Sequence, residues 1–316
     1  MVVRFWGVRG SIPAPPGAQQ VKEKVLRALK GITGSDIADE RAIERYVESL
    51  PRHIKGTYGG NTACVELHSD DVTIIFDAGS GIRVLGQHLM DRKFGRGRGT
   101  AHLFLSHTHW DHIQGFPFFL PAYVRGNRII IYSPHPNIEK RFSLQQEPSH
   151  FPVPLKSMHA DIQFVSLEEE ENVAIGHLDV KNIKLNHPGG SFGYRVSQED
   201  KSFVYATDTD LTSLPEPEME RYIAFFSQAK VLVFDAQYTQ MEALEKEDWG
   251  HSSSMTGVDI ARDAGVETLV LFHHEPTYDD DTLWDILQRT RKYAQMKGLK
   301  QTKNVIMAYE GLELVV

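Results

Sequence analysis

The sequence predicts an α/β protein built of layered sheets and helices, and three observations carry that expectation. Short apolar runs of strand length recur along the chain and alternate with helical patterns. Several of these runs end on a histidine or an aspartate, so the strands would deliver polar groups to one rim of the scaffold. With 316 residues and 41% hydrophobic content, the chain can bury a sizeable core. The pattern reads as a single domain over residues 1–316, with a helical insertion at about 18–56.

Composition excludes several classes. A lone cysteine, Cys64, rules out an internal disulfide and fits a reducing compartment. The first residues lack a basic stretch followed by a long apolar one, and no later segment approaches a membrane span. A cytoplasmic protein without membrane contact is expected. The 42 acidic residues outnumber the 34 basic ones, and the net charge of −8 argues against a long nucleic-acid footprint, which needs clustered Lys and Arg.

In chain order, residues 2–8 read as a first strand, which Gly10 and Pro13 break. In the insertion, Val21, Val25, Leu29 and Ile32 recur at helical spacing, as do Ile43, Tyr46, Val47 and Leu50, with Ser35-Asp36 as the expected N-cap of the second helix and Pro51 as its end. A local cap, a homodimer contact and a substrate lid are its three candidate roles. Residues 63–68 and 72–77 read as a hairpin, and Asp77-Ala78-Gly79-Ser80-Gly81 opens a helix carrying Ile82, Leu85 and Leu89. Asp77 could cap that helix or accept a proton from a metal-binding imidazole and so fix its orientation. After a strand at 101–105, a short helix is expected over 113–120, then a strand at 128–132 and, over 134–161, a proline-rich region read as a helix followed by an extended loop running over the site. Strands follow at 178–186, 192–196, 202–206, 231–234, 269–272 and 305–308, with helices at 218–229, 255–263 and 280–297.

The chemistry concentrates in Ser106-His107-Thr108-His109-Trp110-Asp111-His112, where three imidazoles and a carboxylate occupy six positions directly after an apolar strand. Imidazole nitrogen and carboxylate oxygen suit Zn²⁺, Mn²⁺ or Fe²⁺. His187, Asp208 and His273 each follow a later apolar strand and are further candidate ligands.

The His-x-His-x-Asp-His pattern resembles the hallmark of the metallo-β-lactamase superfamily, and the resemblance implies a four-layer αβ/βα sandwich with two divalent ions, zinc foremost and manganese or iron as alternatives. Carried over by position, it makes His107, His109 and His187 ligands of one metal and Asp111, His112 and His273 ligands of the other, with Asp208 as the bridge. His274 competes with His273, which is preferred because it directly continues its strand. His187 with Gly193-Tyr194-Arg195, and Trp249-Gly250-His251-Ser252-Ser253, are similar to the branch that includes ribonuclease Z and the cyclic phosphodiesterases. That likeness implies hydrolysis of a small phosphodiester, a small or cyclic nucleotide or an RNA end, by a hydroxide bridging the two metals. It gives Asp111 a catalytic as well as a ligand role, makes His251 the proton donor oriented by Asp235, and offers Ser191, Tyr194 and Asn61 as substrate contacts. Ribonuclease Z carries His-Glu-Ala-Thr where this chain has Phe234-Asp235-Ala236-Gln237, and no long glycine- and proline-rich arm is evident. Both departures disfavour tRNA as substrate. A non-catalytic metal-binding or sensing protein of the same fold, and a lactonase or thioesterase, are the competing readings.

Overall fold

The computed structural model describes residues 1–299 and 304–316. Two seven-stranded sheets form its centre. The first contains β1 (Val2–Gly7), β2 (Cys64–Ser69), β3 (Val72–Phe76), β4 (Thr100–Phe104), β5 (Arg128–Ser133) and β6 (Asp161–Ser166). The second contains β7 (Asn172–Ile175), β8 (Leu178–Leu185), β9 (Ser191–Gln198), β10 (Lys201–Ala206), β11 (Val231–Asp235), β12 (Thr268–Phe272) and β13 (Val305–Met307). The last strand, β14 (Glu313–Val315), crosses back to pair with β1 at the edge of the first sheet.

Residue parity along the strands builds the layers. Phe76, Phe203, Tyr205, Val270 and Phe272 meet between the sheets, while their neighbours Ile75, Val204, Leu269 and Leu271 face outward. This is the period of two expected of strands buried on both faces. Phe76 is fully buried at the centre, its ring 5.2 Å from Tyr205, 5.5 Å from Phe203 and 5.9 Å from Tyr194. The helices are α1 (Ala18–Lys30), α2 (Glu40–Ser49), α3 (Arg52–Lys55), α4 (Gly81–Met90), α5 (Trp110–Ile113), α6 (Ile138–Gln145), α7 (Glu216–Phe226), α8 (Gln240–Glu245), α9 (Ser254–Asp263) and α10 (Asp280–Met296). Apolar residues of α4 and α6 cover the outer face of the first sheet, and those of α7, α9 and α10 cover that of the second. The result is the four-layer αβ/βα sandwich.

Strand direction places the site. Strands β3, β4, β5 and β6 are mutually parallel, as are β10, β11, β12 and β13, and β8 shares the direction of β10 through two antiparallel steps across β9. The residues following β3, β4, β8, β10 and β12 therefore collect at one rim, as strand C-termini do in α/β sheets.

Several local expectations are corrected. Ser35-Asp36 does not cap α2; those residues lie in a 3₁₀ turn, Gly34–Ile37, in which Asp36 binds the Thr33 backbone N–H and hydroxyl. The cap is Asp39, whose carboxylate accepts from the Ala42 N–H at 2.7 Å. The expected helix over 113–120 is instead the single turn α5 followed by 3₁₀ turns Phe116–Phe118 and Leu120–Tyr123, because Pro117 and Pro121 cannot supply the amide hydrogens of a continuous helix. Strands β6, β7 and β14 and helices α3 and α8 were not anticipated. Helix α1 buries no side chain, yet Lys24 holds it to the start of α10 through Asp280 at 2.5 Å, and Arg27 reaches Asp281 at 2.6 Å. Among the described residues, no helix is long and apolar enough to cross a membrane.

Candidate metal centre

Three residues that build the rim share an uncommon backbone state. Asp77 follows β3 with φ 60°, Asp208 stands two residues past β10 with φ 54°, and His273 follows β12 with φ 62°. A non-glycine residue in the left-handed region costs on the order of 1–3 kcal/mol, so surrounding contacts must hold it there. For Asp77 those contacts are explicit. Its carboxylate accepts from the Ser106 N–H and hydroxyl at 2.7 Å each, from His112 Nδ1 at 2.7 Å and from the Tyr205 hydroxyl at 2.8 Å. Asp77 thus orients an imidazole and does not cap α4.

The candidate ligands fall into two groups, His107 with His109 and His187, and Asp111 with His112, Asp208 and His273; within each group the donor atoms lie within 4.8 Å of one another. Asp208 spans both. Its Oδ1 stands 3.7 Å from His107 Nε2 and 3.8 Å from His187 Nε2, and its Oδ2 stands 3.2 Å from His112 Nε2 and 3.3 Å from His273 Nε2. Asp111 Oδ2 completes the second group at 3.1 Å from both His112 and His273 Nε2 and accepts the Ser11 N–H at 2.7 Å. His187 Nε2 and His109 Nδ1 are 3.3 Å apart.

The donor chemistry of these atoms fits a divalent cation. His112 gives its Nδ1 proton to Asp77, His273 gives its own to Gln237 Oε1 at 2.9 Å, and His187 gives its own to the Gly250 carbonyl at 2.9 Å. The free lone pairs on Nε2 then converge, with His112 and His273 only 3.2 Å apart. Two such lone pairs repel unless a proton or a metal cation stands between them. His107 Nε2 is buried with no hydrogen-bond partner among the described residues, which in an interior is costly unless an ion completes it. Burial pushes the His107 imidazolium far below its ordinary range, and His109 and His187 shift the same way for the same reason. Burial also works against charge on Asp111 and Asp208, but the adjacent imidazoles, His112 first, hold both carboxyls well below the usual range. His112 is conversely held charged against burial by Asp111, Asp208 and Asp77. In metal coordination the cation takes the place of that proton.

Beside this cluster stands His251. Its Nδ1 lies 2.7 Å from Asp235 Oδ2, and its ring lies 5.1 Å from that of His273, inclined by 23°, and 5.2 Å from that of His187. Asp235 is fully buried and is fixed in turn by the N–H groups of Thr209 and Gln237 at 3.1 Å. Burial lowers the affinity of His251 for a proton, but the Asp235 charge and hydrogen bond outweigh it and raise the pKa to about 9. Ser252 ties this segment to the Asp208 loop, donating to the Thr209 carbonyl at 2.7 Å and accepting from the Leu211 N–H at 3.0 Å. Gly250, at φ 76°, makes the close approach feasible, since a Cβ there would sit 2.2 Å from Pro188 and 2.7 Å from His187 Nδ1.

Three sequence expectations for substrate contacts do not survive. Tyr194 is fully buried between the sheets and its hydroxyl donates to the Leu105 carbonyl at 2.5 Å. Ser191 is likewise buried, with its hydroxyl on the Thr207 carbonyl. Asn61 is engaged by Glu310 and Ser80 and braces the N-terminal loop through its carbonyl, which accepts from Val8 and Arg9. His274 points away from the cluster, giving Nε2 to the Ala308 carbonyl at 2.8 Å; burial and Arg9 press its pKa to about 3. Sequence reasoning missed Gln237, which aims His273, and Ser11, whose N–H holds Asp111. Gln237 carried a usable signal, since it lies two residues past Asp235 at the same strand end.

The family model described as Beta-lactamase superfamily domain matches residues 72–274, a span holding all seven candidate ligands. The chain belongs to this superfamily and with it to the class of metal-dependent hydrolases. It is similar to the Ribonuclease Z of Oceanobacillus iheyensis, 22% identical over 270 residues that cover 69% of this chain and 84% of the relative. In three dimensions it resembles the metallo-beta-lactamase fold protein YhfI from Bacillus subtilis, with TM-score 0.64, 17% identity and coverage of 99% of this chain and 98% of that one. Human tRNase Z, short form, matches with TM-score 0.62 and 19% identity over 100% and 99% of the two chains.

Proposed function

We propose that the protein is a dinuclear metal-dependent phosphodiesterase acting on a small or cyclic nucleotide or on an RNA end. The observation that carries this reading is the His251–Asp235 pair set against the ligand cluster, because a positioned proton donor serves hydrolysis and has no use in mere metal storage. The names of the relatives support a phosphodiester substrate.

Two divalent ions, zinc foremost, held by His107, His109, His187, Asp111, His112, His273 and the shared Asp208, would draw charge from the phosphoryl oxygens and acidify a water molecule. The protein's own groups do the rest. Asp77, Gln237 and the Gly250 carbonyl hold His112, His273 and His187 in the tautomer that leaves Nε2 free. Asp235 retains the Nδ1 proton of His251, so the proton delivered to the leaving oxygen comes from Nε2 as the P–O bond breaks, yielding an alcohol and a phosphate monoester. The second ligand group, Asp111, His112, Asp208 and His273, is buried, while His109 stands exposed on the open side, where substrate and water can enter.

The test is a screen of the metal-loaded chain against bis-p-nitrophenyl phosphate, 2′,3′- and 3′,5′-cyclic nucleotides, a lactone and a tRNA precursor. Turnover of the lactone alone would overturn the phosphodiesterase reading, and inertness towards the whole panel would return the protein to a binding role.

A further inference from the structure

Next to the metal cluster a groove of about 760 Å³ opens, lined by Thr108, Trp110, Phe118, Arg141, Leu144 and Phe151 among others. We infer that this groove is the subsite for the nucleoside part of the substrate, with Trp110 as the stacking platform for the base and Arg141 as the hydrogen-bond donor to its sugar-phosphate oxygens. The inference rests on the phosphodiesterase reading and specifies which phosphodiester.

The argument begins with chain continuity. Within residues 107–114, His107, His109, Asp111 and His112 supply the cluster, while the intervening Thr108 and Trp110, with Ile113 and Gln114, line the groove. The groove is thus built on the same turn of chain as the cluster, within reach of a substituent on a phosphate held there. Trp110 is 79% exposed and Phe118 is 52% exposed, an expensive way to carry such rings unless a ligand covers them. Phe118 and Phe151 pack edge to face at 5.3 Å and present a further aromatic surface. Flat aromatic walls favour a flat ligand, and base stacking on such rings is tolerant of base identity. The volume falls within the range of small-molecule sites. Charge completes the match. Among the described residues the lining carries one guanidinium, Arg141, and its Nη1 is anchored by donation to the Thr108 hydroxyl at 2.7 Å, which leaves further N–H groups to meet an anionic or hydroxyl oxygen.

Two esters with the same leaving group separate this inference from its parent. The metal-loaded full chain is assayed on thymidine 5′-p-nitrophenyl phosphate and on methyl p-nitrophenyl phosphate. Wild type should prefer the nucleoside ester in kcat/KM by on the order of 10- to 100-fold, the range that one stacked base supplies. Trp110→Ala should abolish most of that preference, chiefly through KM and with metal content retained; Trp110→Phe should keep much of it, and Arg141→Gln should weaken the nucleoside ester selectively. Adenosine monophosphate should also quench intrinsic fluorescence in wild type and not in Trp110→Phe. A preference that is absent or untouched by Trp110→Ala, or a larger one for a p-nitrophenyl octyl phosphate, overturns the subsite while leaving phosphodiester hydrolysis intact. Failure to turn over either ester overturns the parent reading, and the fluorescence titration then decides the subsite by itself.

Discussion

His251 Nδ1 and Asp235 Oδ2 stand 2.7 Å apart at the edge of the ligand cluster, with Asp235 wholly removed from solvent. Replacing His251 by Ala should leave metal content nearly unchanged and slow the release of a sugar alkoxide by on the order of 10²–10⁴. A nitrophenolate needs little proton assistance, so the defect on bis-p-nitrophenyl phosphate should be much smaller. Equal losses on both substrates would point to phosphate binding instead.

The same pair fixes the sign of a pH effect. A general acid must be protonated, and a pKa raised to about 9 keeps His251 charged at neutral pH. Activity on the poor leaving group should therefore hold near neutrality and fall on the alkaline side as pH rises through that pKa; bound cations, by offsetting Asp208 and Asp111, move the limb toward lower pH. Asp235→Asn removes the main support of the charged form and should shift the limb lower still. A limb that is identical in Asp235→Asn and wild type would refute the assignment.

Metal binding should follow the division of the ligands. After reconstitution, elemental analysis should find two ions per wild-type chain, a reduced content for His107→Ala, and the greatest loss for Asp208→Ala, whose two oxygens face both groups. Less than one ion in wild type, with His107→Ala no different, contradicts the centre.

The residues behind the ligands should matter almost as much. Gln237→Leu frees His273 Nδ1 and Asp77→Asn disturbs His112, so each should weaken metal affinity by about 10- to 100-fold in chelator competition. Unchanged affinity in both would mean that the imidazoles are held by packing alone.

Phe76→Ala should cost about 3–5 kcal/mol of stability, because Phe76 is fully buried and touches aromatic rings from both sheets. Urea unfolding at fixed metal occupancy is the measurement, since bound metal adds its own stabilisation. A loss below about 1 kcal/mol would show that the core collapses around the gap.

The candidate ligands were legible in the sequence because His, Asp and apolar strand form a local pattern, and strand ends in an α/β sandwich converge. Choosing His273 over His274 rested on strand continuity, and the left-handed turn at His273 is what sends the two rings to opposite sides. Tyr194 was misread because its partner is remote: parity within β9 places 192, 194 and 196 alike between the sheets, and nothing local discloses that Leu105 consumes the hydroxyl. The stretch Thr33-Gly34-Ser35-Asp36-Ile37-Ala38-Asp39 offers several capping side chains; Asp36 is spent on Thr33 in the preceding 3₁₀ turn, and Asp39 caps α2. Strands β7 and β14 span four and three residues, too short for alternation to stand out.

The ligands come from distant stretches of chain: four lie within residues 107–112 beside the first sheet, and three lie at 187, 208 and 273 beside the second. Neither half of the polypeptide can assemble either group of candidate ligands alone. A metal bound there would act as a clasp across the seam where the two sheets meet, closing only once each half has found the other. Chelation of such a metal should then loosen that seam before it melts either sheet.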